Sequence, residues 1–219
     1  MKTRTKVLVL TLCAVLLVTA TVFTTLAYLQ SSDKVTNTFT VGKVAITLDE
    51  ARVNELGVAL DSNGNALAAG TTTGAARVEK NTYKLLPGHS YIKDPTIRVS
   101  SDSEDCYLFV KVENGLAGIE KTGKTIADQM TSLGWICIDS DNNIWAYNPV
   151  DAAGKSLLPV KKSSNILVFE SFDIKDDANA DTLKSYAGKT VVVTAYAIQA
   201  DGFDTYSEAW NAAGSSFAD

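Results

Sequence analysis

The sequence predicts an all-β fold: an antiparallel jelly-roll sandwich with short helices inserted in its loops. Three observations point there. Most apolar residues fall in short alternating runs rich in Val, Ile, Thr, Tyr and Phe, the pattern of half-buried strands. Clusters of Gly, Asn, Asp and Pro separate those runs, and these residue types form tight turns. Strands and helices do not alternate along the chain, which argues against a parallel α/β sheet.

The first alternating stretch sets Val35, Asn37, Phe39 and Val41 against Thr36, Thr38 and Thr40, and resumes after Gly42 as Val44–Leu48. Residues 50–75 carry two turn clusters, Asp61–Asn65 and Gly70–Gly74, and read as a hairpin tip or long surface loop. Leu86-Pro87-Gly88 turns the chain into a run from Tyr91 to Val99. Pro95 lies within that run and lacks an N–H, which suits an edge or a bulge. Cys106–Glu113 is the cleanest strand, with Cys106, Leu108, Val110 and Val112 on one face. Ile126, Met130 and Leu133 share a helical face over 125–133, with Gly134 as its stop. Trp135–Ile138 and Ile144–Tyr147 flank an Asp/Asn-rich turn and read as a hairpin. Ile166–Ile174 reads as one strand and Ala178–Tyr186 as a short helix ended by Gly188. Thr190–Ala200 is apolar on both faces and therefore reads as a central strand. Residues 204–213 read as a short terminal helix. The total is eight or nine strands.

The N-terminus reads as an export segment, dividing the chain into a signal over 1–27 and one domain over 28–219. Lys2, Arg4 and Lys6 precede an uncharged run from Val7 to Leu29. Thr25 and Ala27 are small enough for cleavage between Ala27 and Tyr28. The run is also long enough to stay as a membrane anchor. In either case the basic end stays inside, and the domain goes to the cell exterior. Removing residues 1–27 takes three bases and no acids from 20 and 25, leaving 17 against 25, net −8. So acidic a domain lacks the basic footprint of a nucleic-acid binder.

Little in the sequence supports catalysis or a cofactor. His89 is the sole histidine and has no zinc-binding spacing around it; a turn position facing solvent is expected. Asp139-x-Asp141-x-Asn143 starts like an EF-hand loop, but Ile144 and Val150 stand where glycine and glutamate are required. Asp173, Asp176 and Asp177 form an acidic turn able at most to attract calcium weakly. Trp135, Trp145 and Trp210 are candidates for stacking sugars, though aromatics at strand spacing more often build core. Cys106 and Cys137 remain after cleavage. They either pair in an oxidising exterior or sit apart as small apolar residues.

Leu26-Ala27-Tyr28-Leu29, followed by Ser32-Asp33 and Asn37-Thr38-Phe39-Thr40-Val41-Gly42, resembles the export signal cut by a dedicated SipW-type signal peptidase. Leu29 stands where phenylalanine is usual. Downstream, Leu86-Pro87-Gly88 with Ile92-Lys93-Asp94, Tyr107–Val112 and Val193–Phe203 together resemble, in order, the TasA/camelysin family of secreted biofilm-matrix proteins. The resemblance implies a Gram-positive source and a jelly-roll subunit of extracellular fibres, located in the matrix or at the cell surface. It also implies head-to-tail assembly in which residues 28–41 are donated to a neighbouring subunit, with Val35, Phe39 and Val41 inserting. Another copy of the chain and the signal peptidase are the implied partners, with matrix polysaccharide a further one. The metallopeptidase label on the camelysin side is the competing reading, to which the lone His89 lends little support.

Overall fold

The structure is a computed structural model and describes residues 43–214. Ala27, Tyr28, Val35, Phe39 and Val41 lie outside the described residues. Ten strands and three α-helices are formed among those described.

Two four-stranded sheets and one two-stranded ribbon are present, and all their pairings are antiparallel. The first sheet contains β1 (Ile46–Ala51), β2 (Arg77–Val78), β4 (Thr96–Val99) and β8 (Asn165–Leu167), in the order β2-β1-β4-β8. The second contains β5 (Cys106–Asn114), β6 (Trp135–Asp139), β7 (Ile144–Tyr147) and β10 (Val191–Gln199), in the order β10-β5-β7-β6. The ribbon pairs β3 (Ser90–Ile92) with β9 (Ser171–Asp173).

One core cluster takes Ile97 and Val99 from the first sheet, Leu108, Val110 and Trp135 from the second, and Tyr91 and Phe172 from the ribbon. Alternation explains which residues enter it. Cys106, Leu108, Val110 and Val112 all point inward from β5, as their spacing requires. A smaller cluster covers the opposite face of β5. There Tyr107, Phe109, Ala146 and Ile198 pack under helix α3 (Tyr206–Ala213), with Trp210 tilted over Phe109 at 4.7 Å between ring centroids.

Trp135 ties the two sheets together on one side. It is 1% exposed, and its indole N–H donates to Leu167 O at 3.0 Å. Helix α1 (Ile126–Ser132), which precedes β6, begins with a capping box: Thr125 Oγ1 accepts from Asp128 N–H, and the Asp128 carboxylate accepts from Thr125 N–H. Replacing Thr125 by Ala removes one half of that exchange. The expected cost is about 1 kcal/mol, read as a fall of about 3 °C in melting temperature.

Three expectations are corrected. The 91–99 run is two strands in different sheets, with the break at Lys93-Asp94-Pro95. The 166–174 run likewise divides into β8 and β9, which pair with β4 of the first sheet and with β3 of the ribbon, on either side of the buried Val168 and Phe169. Of the two readings of residues 50–75, the hairpin one fits: antiparallel bridges join Val53 with Ala59 and Leu60 with Ala66. Finally, β10 is an edge strand: its partner among the described residues is β5 alone.

Candidate functional site

The edge of β10 that no other described strand pairs borders a groove of about 1130 Å3. It opens between β10 on one side and β1, β2 and the segment after β2 on the other. Leu48, Val78, Tyr83, Leu85, Val191 and Val193 contribute its apolar walls, with Leu116 and Phe172 beneath. Helix α2 (Ala180–Ser185) closes one end through Leu183 and the following Tyr186.

Burial along the two strands shows what the groove does to the core. On β5 the inward residues Leu108 and Val110 are fully buried. On β10 their neighbours Val191, Val193, Ala195 and Ala197 are only half-buried. Leu48 and Ile46 of β1 are half-buried in the same way. Among the described residues the core between the two sheets is therefore closed on the Trp135 side and open on the β10 side. A nine-residue apolar edge strand leaves a row of N–H and C=O groups able to pair with another chain.

A charged network lies at the groove's first-sheet wall. Arg77 Nε donates to Asp49 Oδ1 and its Nη1 to Asp94 Oδ2, both at 2.7 Å. Its Nη2 reaches the Asp49 and Asp94 carbonyls. Arg98 Nε adds a second bond to the Asp49 carboxylate. Burial acts to raise the pKa of Asp49, but the bonds from Arg98 and Arg77 outweigh it and hold the carboxyl below its usual range. Beside this network Lys93 Nζ donates to Glu50 Oε2 at 2.6 Å, and Asn81 Nδ2 donates to Glu50 Oε1 at 2.8 Å. Lys93 and Asp94, read from the sequence as part of a strand motif, thus anchor the first-sheet wall. Tyr83 stands nearby with its hydroxyl on Ile92 O; burial, then Glu50 and Asp94, push its pKa well up, so it stays a neutral donor.

The remaining candidate residues are dispersed. His89 is half-buried, its Nε2 lies 2.9 Å from Leu56 O, and its ring packs edge-on against Tyr91 at 4.5 Å. It is therefore a packed turn residue, where a solvent-facing one was expected. No group of three His, Cys, Asp or Glu side chains able to hold a metal occurs among the described residues. Asp139 accepts from the N–H groups of Asp141 and Asn142, completing its own turn. Asp176 pairs with Lys121, while Asp173 is buried and accepts from Ser171. Trp135 and Trp145 face the main core, whereas Trp210 lies on the far side of the second sheet, so the three do not share one groove.

Of the two readings left open for Cys106 and Cys137, the structure has the separate one: both are free thiols, Cys106 buried and Cys137 exposed. Register explains why. Cys137 aligns through Trp145 with Val110, so Cys106 lies two strands across and four residues along. At about 4.8 Å per strand and 3.3 Å per residue, that separation exceeds the reach of a disulfide. Burial, with Asp105 nearby, pushes the Cys106 thiol up to about 11, while Cys137 is exposed. In the native protein a thiol reagent is expected to modify Cys137 and spare Cys106 until unfolding, as resolved by peptide mapping. Protection of both in the native state, relieved by reductant, would contradict the separation.

The groove and the triad of Glu50, Asn81 and Lys93 escaped the sequence reading. Comparison of the chain with protein-family models, with curated proteins and with solved structures finds no match in any of the three.

Proposed function

We propose that the chain is a secreted structural subunit of extracellular fibres, and that the groove beside β10 receives the N-terminal segment of a neighbouring copy. On this reading the sandwich is of jelly-roll type and is completed by the donated strand. The observation that carries the reading is the half-buried inner row of β10, Val191, Val193, Ala195 and Ala197, along an edge that no other described strand pairs. A strand added there gains ladder hydrogen bonds and fills the groove with alternate side chains.

Residues 28–41 suit that place. From Val35 to Gly42 they are uncharged and alternate in polarity, with Val35, Phe39 and Val41 sharing one face. Fourteen extended residues span about 46 Å at 3.3 Å each, enough to run the whole of β10. A neighbour is favoured over the same chain by direction. Lys43 O accepts from Glu104 N–H, next to Asp105, whose carbonyl holds Ala200 just past the end of β10. A segment that runs into Lys43 and lies on its own β10 would pair in parallel. A neighbour's segment is free to pair antiparallel, the somewhat stronger ladder. Such contacts are heterologous and propagate.

The test is electron microscopy of residues 28–219 with a native Tyr28 terminus, beside a form lacking 28–41 and a form with a bulky N-terminal tag. Filaments from the first form alone are expected. Single subunits in all three samples would overturn self-assembly.

A further inference from the structure

We propose that Lys93 and Asn81 form an intramolecular isopeptide bond, with Glu50 as the proton carrier. The three side chains meet at a single carboxylate: Lys93 Nζ on Oε2 at 2.6 Å and Asn81 Nδ2 on Oε1 at 2.8 Å. The ion pair is nearly sealed from water, with side-chain exposures of 11% for Lys93 and 6% for Glu50. The bond would join the segment after β2 to the segment before β4. This inference does not depend on fibre assembly.

The orientation of the Asn81 amide follows from its partners. Val53 N–H donates to Oδ1 at 3.0 Å, and Ala51 O accepts from Nδ2 at 2.9 Å. A backbone N–H can only donate and a backbone C=O can only accept, so oxygen and nitrogen are assigned by the network. Each contact has a use in acyl transfer. The Val53 N–H is placed to stabilise negative charge developing on Oδ1. The Glu50 carboxylate bridges nucleophile and leaving group, which general acid–base transfer requires. The enforced proximity replaces a bimolecular encounter.

The step balances without an oxidant or co-reactant. Glu50 takes a proton from the Lys93 ammonium, and the free amine attacks Asn81 Cγ. The Nζ–Cγ bond forms and the Cγ–Nδ2 bond breaks. Glu50 passes its proton to the departing nitrogen, and a second proton follows from the new amide nitrogen. With those two protons the leaving nitrogen is released to water as ammonium, and the third proton of Lys93 stays on Nζ as the isopeptide N–H. The carboxylate is regenerated. The groove that all three residues line gives the leaving group an exit.

Peptide mapping of the purified full chain decides the matter. Trypsin cleaves after Lys80, Lys84 and Arg98. The expected product is peptide 81–84 joined to peptide 85–98, lighter by one ammonia than their sum and resistant to cleavage after Lys93. Lys93→Arg keeps the charge but removes the nucleophile, and Glu50→Gln removes the proton carrier. Both variants are expected to yield only the separate linear peptides. Wild-type protein giving those linear peptides, with Lys93 cleaved normally and Asn81 unmodified or merely deamidated, overturns the proposal. That outcome is read on wild type, so a variant that fails to fold leaves the decision intact.

Discussion

If the proposed strand donation joins the subunits, an equimolar mixture of the Phe39→Asp and Val193→Lys variants of residues 28–219 is expected to give two-subunit particles and no filaments. The first variant spoils the donor segment and keeps its groove; the second spoils the groove and keeps its donor. Val193 lies on the inner row of β10 and lines the groove, so a lysine there meets apolar walls that any inserted strand must contact. Burying a phenylalanine or valine contributes about 1.5–3 kcal/mol. Replacing Phe39 by a carboxylate forfeits that gain and adds the cost of desolvating a charge. A loss of roughly 3 kcal/mol weakens each junction by about two orders of magnitude. In the mixture one sound junction remains, from the Val193→Lys donor into the Phe39→Asp groove. A heterologous chain with one usable junction stops at two members. Sedimentation velocity would read single species for each variant alone, dimers for the mixture and filaments for wild type. Filaments from either variant alone would place the junction elsewhere.

How much of this was legible depended on whether the determinant was local. The strand β5 declared itself through Cys106, Leu108, Val110 and Val112, because alternation alone fixes which side chains enter a core. The hairpin β6–β7 and helix α1 followed from turn and capping chemistry within a few residues. The position of β10 did not. Its two faces are both apolar because Ile198 and Tyr196 pack with helix α3 while Val191 and Val193 meet the groove. A strand covered on both faces looks central in sequence, but whether its edge is paired depends on strand order, a long-range property. The division of 166–174 is likewise set by strand pairing, β8 with β4 and β9 with β3. The triad of Glu50, Asn81 and Lys93 left no local trace. Its members lie up to 43 residues apart and are brought together by the pairing of β1 with β2 and β4.

Arg77→Ala is expected to be the most damaging single change to the folded domain. Arg77 satisfies two carboxylates and two carbonyls at once, a fork that lysine cannot reproduce. Asp94 is 7% exposed, and after the change it keeps only the Ala51 N–H among the bonds to its carboxylate. Removing one partner of a buried pair costs about 3–5 kcal/mol, because the other charge stays buried. In a domain of this size that corresponds to a fall of about 10 °C in melting temperature. The pH dependence supplies an independent check. The Asp49 carboxyl is held below its usual range, so its contribution is present above the unfolded value of about 3.9 and is lost as pH falls through the folded one. Acid therefore weakens the wild type. In Arg77→Ala the Asp49 carboxyl keeps only the Arg98 bond, so less of that contribution is present to be lost in acid. The stability difference between the two proteins should thus be widest near neutral pH and shrink below about pH 4. A deficit under about 1 kcal/mol at pH 7, constant into acid, would mean that the network behaves as a solvated surface pair and that the first-sheet wall of the groove is held by apolar packing alone.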